Sequence, residues 1–140
     1  MNRSSAVFVD TGPWIAWMDV RDQWREIALR EMLAFKAQRR VLVTTNWVLA
    51  EAYTGLVNRI ARTAIARLRT AIEQSSFIRV IWVDRLLEEL AWQKFLQYDD
   101  KAVSMTDCTS FVVMEQWGIS TAFTFDRHFL QVGFQTWTEL

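Results

Sequence analysis

The chain has 140 residues, of which 51% are hydrophobic and 14% aromatic, enough for one domain with one core. Its formal net charge is +0, which excludes a strong overall field that attracts polyanions, so any nucleic-acid contact must use a local patch. A single cysteine excludes an internal disulfide. Because the sequence shows no run of 18 apolar residues and no signal-peptide pattern, we expect a cytoplasmic protein without a membrane contact.

The first predicted strand covers residues 7–9, three apolar β-forming residues that are typical of a strand buried on both faces. Asp10 follows at the point where this strand ends. Thr11 and Gly12 predict a turn, and Pro13 suits the first position of a following helix. In open α/β sheets, ligands bind at the carboxyl ends of the strands, so we expect Asp10 at the edge of such a crevice.

The rest of the chain alternates between helical spacing of apolar residues and short β-forming runs. Helices are predicted over residues 24–39, 47–58, 63–74, 84–97 and 104–117, and strands over 41–44, 77–83 and 121–125, with a possible edge strand over 133–138. Because helices separate the strands, the sheet should be parallel with right-handed crossovers. The prediction is a single α/β domain over residues 1–140, with helices on both faces of a sheet of four to five strands.

Four carboxylates occupy positions that such a fold can bring together. Asp10 and Asp126 follow predicted strands, and Glu51 lies early in the helix after the second strand. Asp107 lies in the first turn of the helix that precedes the fourth strand. That helix would begin at the opposite edge of the sheet unless the loop before it crosses over, and the sequence leaves this point open.

Clustered carboxylates repel one another, and a hard divalent cation removes that penalty. Mg²⁺ or Mn²⁺ takes oxygen ligands and can activate water for phosphodiester cleavage. The sequence has no phosphate-binding loop of the Walker or GxGxxG type, and one cysteine with one histidine excludes the common zinc sites. A metal-dependent site is therefore one hypothesis.

Each candidate also has a purely structural interpretation. Asp10 or Thr11 could cap a helix, Asp107 could complete a capping box with Ser104, and the other residues could be caps or solvated groups. The supporting polar candidates are Thr11, Ser104, Thr106 and Thr124, the candidate RNA contacts are Arg59, Arg62, Arg67 and Arg69, and the residues interpreted as solvated or packed include Asp19, Asp22 and His128.

Four motifs in this order resemble the PIN-domain family, in particular the VapC-type toxins of bacterial and archaeal toxin–antitoxin pairs. They are Phe8–Val9–Asp10–Thr11, the run TNWVLAE that ends in Glu51, Ser104–Met105–Thr106–Asp107, and Phe123–Thr124–Phe125–Asp126–Arg127–His128–Phe129 followed by Gly133–Phe134. The resemblance covers essentially the whole chain.

The resemblance implies a parallel sheet of order 3-2-1-4-5 and a metal-dependent ribonuclease with an acidic pocket for Mg²⁺ or Mn²⁺. By position, Asp10 and Asp107 would be the principal metal ligands, and Glu51 and Asp126 would complete the pocket, one of them orienting water. The resemblance also implies that the helix carrying Asp107 begins at this pocket. Its implied partners are an RNA substrate, a second copy in a homodimer and a small antitoxin. The alternatives are a non-catalytic module on the same fold that binds RNA or protein, or a nuclease of RNA processing without a toxin role.

Overall fold

The computed structural model describes residues 5–137, and five strands within this range form one sheet. The strands are β1 (Val7–Val9), β2 (Leu42–Thr45), β3 (Ile78–Ile81), β4 (Thr121–Phe123) and β5 (Gln135–Thr136). Their spatial order is β3-β2-β1-β4-β5, and every neighbouring pair is parallel. In the register, Val7 lies opposite both Leu42 and Thr121. The predicted parallel sheet and its order are therefore confirmed.

Residues 5–137 contain seven helices. Along the chain, two helices lie between each strand and the next among the first four strands. The helices are α1 (Thr11–Met18), α2 (Arg25–Ala37), α3 (Asn46–Leu56), α4 (Arg62–Gln74), α5 (Arg85–Gln97), α6 (Met105–Trp117) and α7 (His128–Gln131). Each of these helices is too short or too polar to cross a bilayer.

The core lies against both faces of the sheet, because all three residues of β1 and all four of β2 are buried. Phe8, Phe123 and Phe129 are fully buried, and Phe111 on α6 contacts Phe129 edge to face with ring centroids 5.1 Å apart. Trp14 on α1 is also fully buried, and its indole N–H donates to the Val9 carbonyl at 3.3 Å. This packing fixes the end of β1, where Asp10 lies.

Several element boundaries differ from the prediction for local reasons. Helix α2 ends at Ala37 because Arg39 adopts a left-handed φ of 55°. Strand β3 ends at Ile81, and the Val83 N–H donates to the Asn46 side chain at 2.6 Å instead of extending the ladder. Strand β4 ends at Phe123, two residues earlier than predicted. The predicted edge strand is the short β5, and its predicted last residue, 138, lies outside the described residues.

Candidate active site

Asp10 lies directly after β1, and its side chain is buried at 6% exposure. Its backbone N–H donates to the Phe123 carbonyl at 3.0 Å, which ties it to the end of the neighbouring strand β4. Its Oδ2 atom accepts a hydrogen bond of 2.9 Å from the Thr124 hydroxyl. Asp10 also occupies the N-cap position of α1, but its side chain makes no capping hydrogen bond there. Asp10 therefore occupies the cap position, but the interpretation that its carboxylate caps the helix is wrong.

Asp126 follows β4 on the same edge of the sheet. Its backbone N–H donates to the Thr124 hydroxyl at 3.2 Å, so Thr124 connects Asp126 with Asp10. Its Oδ1 atom accepts from the His128 backbone N–H at 2.9 Å, which supports the short turn into α7. The side chain is about half-buried. Asp126 therefore has a local structural contact and also lies close to the other acids.

Asp107 is held at the first turn of α6 by a complete capping box. The Ser104 hydroxyl accepts from the Asp107 backbone N–H at 2.9 Å, and Asp107 Oδ2 accepts from the Ser104 backbone N–H at 3.0 Å. The loop before α6 brings Asp107 to the same edge of the sheet, where ligand atoms of Asp107, Asp126 and His128 lie within 4.8 Å of one another.

The electrostatics of this group are those of crowded, partly desolvated acids. The pKa of Asp10 is raised from 3.8 to about 7, mainly by burial and then by repulsion from Asp126 and Asp107. Burial also raises the pKa of Asp107, against the stabilising backbone N–H of Ser104. Three acids from distant parts of the chain thus face one another at an energetic cost that a bound cation would relieve.

His128 belongs to this group, although the sequence interpretation made it a packed residue. Its Nδ1 atom lies 2.9 Å from Asp107 Oδ2 and 3.6 Å from Asp126 Oδ1. The imidazole is 29% exposed, so it stands at the edge of the site and not in the core. The available signal was its spacing, because a histidine two residues after a carboxylate at a strand end is carried back toward that carboxylate by a tight turn.

Glu51 lies in the second turn of α3 with an exposed side chain. Among the described residues, ligand atoms of Asp107, Asp126 and His128 form one close group, and both Glu51 and Asp10 lie outside it. Asp10 is nevertheless linked to Asp126 through Thr124, and the charges of Asp126 and Asp107 raise its pKa. Two of the supporting polar residues, Thr11 and Thr106, also differ in their surroundings. The Thr11 hydroxyl is buried without a hydrogen-bond partner among residues 5–137, whereas Thr106 is half-buried and its carbonyl accepts from the hydroxyls of Thr109 and Ser110.

A cavity of about 250 Å³ opens beside the acids. Its lining residues come from α1, the loop before α2 and the segments that follow β1, α3 and β4: Asp10, Gly12, Ile15, Asp22, Trp24, Arg59, Phe125 and Asp126. A larger apolar groove of about 630 Å³ lies between α2 and α4, but no carboxylate lines it. Of these two cavities, the smaller one is therefore the cavity that candidate site acids line, namely Asp10 and Asp126.

Arg59 is the cation of this cavity. Its Nη1 atom lies 3.2 Å from Asp19 Oδ2 and 3.2 Å from Asp22 Oδ2. The backbone N–H of Arg21 and then the Arg59 guanidinium hold the pKa of Asp19 below its ordinary value. The interpretation of Asp19 and Asp22 as solvated charges is wrong, because Asp19 is 7% exposed and both acids hold Arg59.

The other candidate RNA contacts do not join Arg59 around this cavity. Arg62 and Arg69 line a separate cavity beside α3, and Arg69 pairs with Glu73 at 2.9 Å. Arg67 lines the apolar groove between α2 and α4. All four arginines are exposed, so each is available to a partner, but the structure spreads them over different faces.

Comparison with known proteins gives a consistent result. The sequence model of the PIN domain matches residues 7–135. Two relatives, from the CDC 1551 / Oshkosh and ATCC 25618 / H37Rv strains of Mycobacterium tuberculosis, are each named 23S rRNA-specific endonuclease VapC20. Each is 37% identical over 128 residues, which cover 91% of this chain and 95% of the relative.

A solved structure agrees with the sequence comparison. The crystal structure of Mycobacterium tuberculosis VapC20, described as a sarcin–ricin loop cleaving toxin, superposes with a TM-score of 0.81 at 35% identity. The match covers 92% of this chain and 96% of that chain. The agreement therefore extends over nearly the whole of both proteins.

Proposed function

Because the chain belongs to the PIN-domain family, we propose that it is a metal-dependent endoribonuclease and the toxin of a toxin–antitoxin pair. The observation that carries the proposal is the position of three acids at one sheet edge: Thr124 connects Asp10 with Asp126, and ligand atoms of Asp107 and Asp126 lie within 4.8 Å of each other. Burial and the charges of the other two acids raise the pKa of Asp10 to about 7. Buried acids that repel one another destabilise the folded state, and a bound cation would offset that repulsion.

The residues present fit a divalent cation. Asp10, Asp107 and Asp126 supply carboxylate oxygens, which Mg²⁺ and Mn²⁺ both accept, and we propose one of these two ions. Glu51 remains a proposed fourth member, which would have to reach the ion or its water from α3. When bound, the ion would supply water activation and charge stabilisation at the phosphodiester bond.

The chain's own residues position the acids before any ion arrives. Thr124 holds Asp10 through its hydroxyl, and the capping box holds Asp107 through one oxygen, Oδ2. That leaves Asp107 Oδ1 for a cation. We propose Asp10 and Asp107 as the principal ligands, with Asp126 or Glu51 orienting the attacking water. His128 would keep Asp107 oriented from the outside of the site.

The proposed substrate is a structured RNA. The relatives named above are described as acting on 23S rRNA and as cleaving the sarcin–ricin loop. We propose that the present chain also cleaves ribosomal RNA. Arg59 is the best-placed of the four candidate phosphate contacts because it shares the cavity of Asp10 and Asp126, and Arg62, Arg67 and Arg69 would bind more distant phosphates.

The proposed protein partners are a cognate antitoxin and a second copy of the chain. The support for an antitoxin is the similarity to VapC20, which is described as a toxin. An inhibitor of this enzyme would have to cover the acidic cavity or compete with RNA for Arg59. Co-expression with the product of any adjacent small gene, followed by size-exclusion chromatography with light scattering, tests both partners.

The decisive test is cleavage of purified ribosomes and of a structured RNA pool, with Mg²⁺ or Mn²⁺ and then with EDTA. We expect discrete cuts that require metal and that disappear in Asp10→Asn and in Asp107→Asn. A matched control is Asp84→Asn, because Asp84 caps α5 through the Leu87 N–H and asparagine preserves that cap.

The outcomes separate the alternatives. Metal-independent cutting, or cutting that survives in both site variants, would contradict the proposed site. A folded protein that binds RNA, but neither binds metal nor cleaves the RNA, would be a non-catalytic module. Cleavage without growth arrest on expression in the host would indicate an RNA-processing nuclease and would contradict the toxin role.

A further inference from the structure

The cavity beside the acids contains Arg59, the proposed phosphate contact, and a pair of aromatic rings to which the proposed hydrolysis gives no role. Trp24 stacks on Phe125 with ring centroids 4.9 Å apart and an interplanar angle of 15°. Both rings line the cavity together with Arg59, Asp10 and Asp126. The proposed metal binding accounts for the acids and a substrate phosphate accounts for Arg59, but the two rings need a separate explanation.

Arg59 is held in place while part of its side chain stays accessible. Among the described residues its ion pairs run through Nη1 to Asp19 and Asp22, and the side chain is 45% exposed. The remaining guanidinium N–H groups are suited to a phosphate, which arginine binds in a planar, two-pronged geometry. A fixed cation next to two metal-binding acids is therefore suited to a phosphate close to the scissile bond.

The aromatic pair is equally well held. The Trp24 backbone N–H donates to Asp22 Oδ1 at 2.8 Å, so Asp22 fixes both Trp24 and Arg59. On the other side, Phe125 packs against Gly12, where an added Cβ would lie only 3.1 Å from the ring. Trp24 and Phe125 are half-buried and not sealed in the core, so an aromatic surface faces the cavity.

We propose that this cavity is a subsite for one unpaired nucleotide next to the cleaved bond. Arg59 binds its phosphate and the Trp24–Phe125 pair stacks with its base. The inference rests on the proposed ribonuclease function and adds a substrate feature to it. A base inside a duplex has its faces covered by its neighbours, so the subsite selects loops, bulges or single strands over paired RNA.

Binding is measured without cleavage, in EDTA, by fluorescence anisotropy of labelled RNA hexamers. Three probes are used: a single strand, the same strand in a duplex, and a single strand in which abasic sites replace the bases. The variants are Trp24→Leu, Trp24→Phe and Arg59→Gln. The matched controls are Trp92→Leu, whose ring stacks on Phe95 outside the cavity, and Arg30→Gln, whose guanidinium pairs with Glu31 on α2.

We expect Trp24→Leu to weaken binding of the single strand roughly tenfold, the usual effect of losing one stacked base, and to leave the abasic strand and the duplex unchanged. Trp24→Phe should restore most of the lost affinity. Arg59→Gln should weaken both single strands and reduce the slope of log affinity against log salt by about 0.7. The two control variants should bind like the unmodified protein.

Thermal unfolding of each variant checks that the fold is intact. If the leucine variant does not fold, Arg59→Gln carries the test, and binding equal to that of Arg30→Gln would overturn the subsite. The subsite is overturned if Trp24→Leu matches Trp92→Leu on all three probes while the unmodified protein still cleaves RNA. If the unmodified protein neither binds nor cleaves any RNA, the proposed function is wrong, and the subsite that rests on it is wrong as well.

Discussion

The Thr124 hydroxyl donates a hydrogen bond of 2.9 Å to Asp10 Oδ2, although 114 residues separate the two in the chain. The same hydroxyl accepts from the Asp126 backbone N–H at 3.2 Å. One fully buried side chain therefore sets the relative position of two acids that follow different strands. It also stabilises the charged form of Asp10 against the burial that raises its pKa.

Replacement of Thr124 by valine keeps the shape of the side chain but removes this hydroxyl. We expect the pKa of Asp10 to rise further, and Mn²⁺ affinity to fall about 10- to 100-fold, as it does when a group that orients a metal ligand is lost. Isothermal titration calorimetry measures the affinity. Thr124→Ser is the matched control, because it retains the hydroxyl, and equal affinity in the two variants would show that the bond has no role in metal binding.

The raised pKa of Asp10 makes a prediction about stability in the absence of metal. Because the folded state binds this proton more tightly than the unfolded state, whose pKa is near 3.8, protonation of Asp10 favours folding. The contribution is fully present below about pH 4 and is lost as pH rises to about 7. Asp10→Asn, which can still accept from Thr124, should therefore be more stable than the unmodified protein at pH 8, by about 4 kcal/mol at most.

Urea unfolding at pH 4, 6 and 8, in EDTA and then in excess Mn²⁺, measures this effect. The difference between Asp10→Asn and the unmodified protein should be near zero at pH 4 and should grow toward pH 8. Added Mn²⁺ should stabilise the unmodified protein at pH 8 much more than the variant. A pH-independent difference would mean that Asp10 does not titrate in this range.

The sequence predicts the parts of this molecule that local signals determine. The apolar run before Asp10, the Ser104–Asp107 capping box and the C-terminal Gly118 of α6, with its left-handed φ of 66°, are each encoded within a few residues. Strand order depends on packing between distant segments, so its prediction rests on the resemblance to the PIN-domain family and not on a local pattern. The ends of the strands were overestimated because Phe125, although apolar, leaves the ladder to line the cavity.

The contacts that were missed join residues far apart in the chain. Arg59 meets Asp19 and Asp22 across 40 and 37 residues, and no local pattern predicts that pairing. The edge of the sheet at which α6 begins depends on the path of the preceding loop, which has no periodicity to read. The sequence does not predict that His128 lies at the site, because the chain has one histidine and therefore no pair of histidines at a metal-ligand spacing. Side-chain convergence of this kind needs coordinates.

The capping box gives a prediction that separates stability from function. Ser104→Ala removes the acceptor for the Asp107 backbone N–H and should lower the free energy of unfolding by about 1 kcal/mol. It should also weaken Mn²⁺ binding, because Asp107 loses its orientation. Asp84→Ala removes the cap of α5 and should cost about the same stability with unchanged Mn²⁺ affinity. Thermal unfolding and calorimetry on both variants measure the two effects, and equal Mn²⁺ affinities would make Ser104 purely structural.

His128 offers a test of the contact between its imidazole and Asp107. His128→Ala removes the nitrogen that lies 2.9 Å from Asp107 Oδ2, and we expect RNA cleavage at saturating Mn²⁺ to fall at least tenfold. His128→Asn places an amide nitrogen near the position of Nδ1 and should recover part of the rate. Single-turnover cleavage measures the chemical step. Full activity of the alanine variant would show that the contact does not position Asp107.

Glu51 is the predicted site residue whose contribution most needs measurement, because its side chain is exposed on α3 and lies outside the close group of Asp107, Asp126 and His128. A carboxylate that orients the attacking water from this position would affect the rate more than the binding of the ion. We therefore expect Glu51→Gln to reduce single-turnover cleavage on the order of 10²-fold, the scale of a lost proton-accepting group. Its Mn²⁺ affinity and melting temperature should change little, because the exposed side chain makes few contacts with the folded chain. Glu89→Gln, an exposed glutamate on α5, is the matched control and should cleave at the normal rate. Equal rates for the two variants would remove Glu51 from the site and leave three carboxylates to do the chemistry.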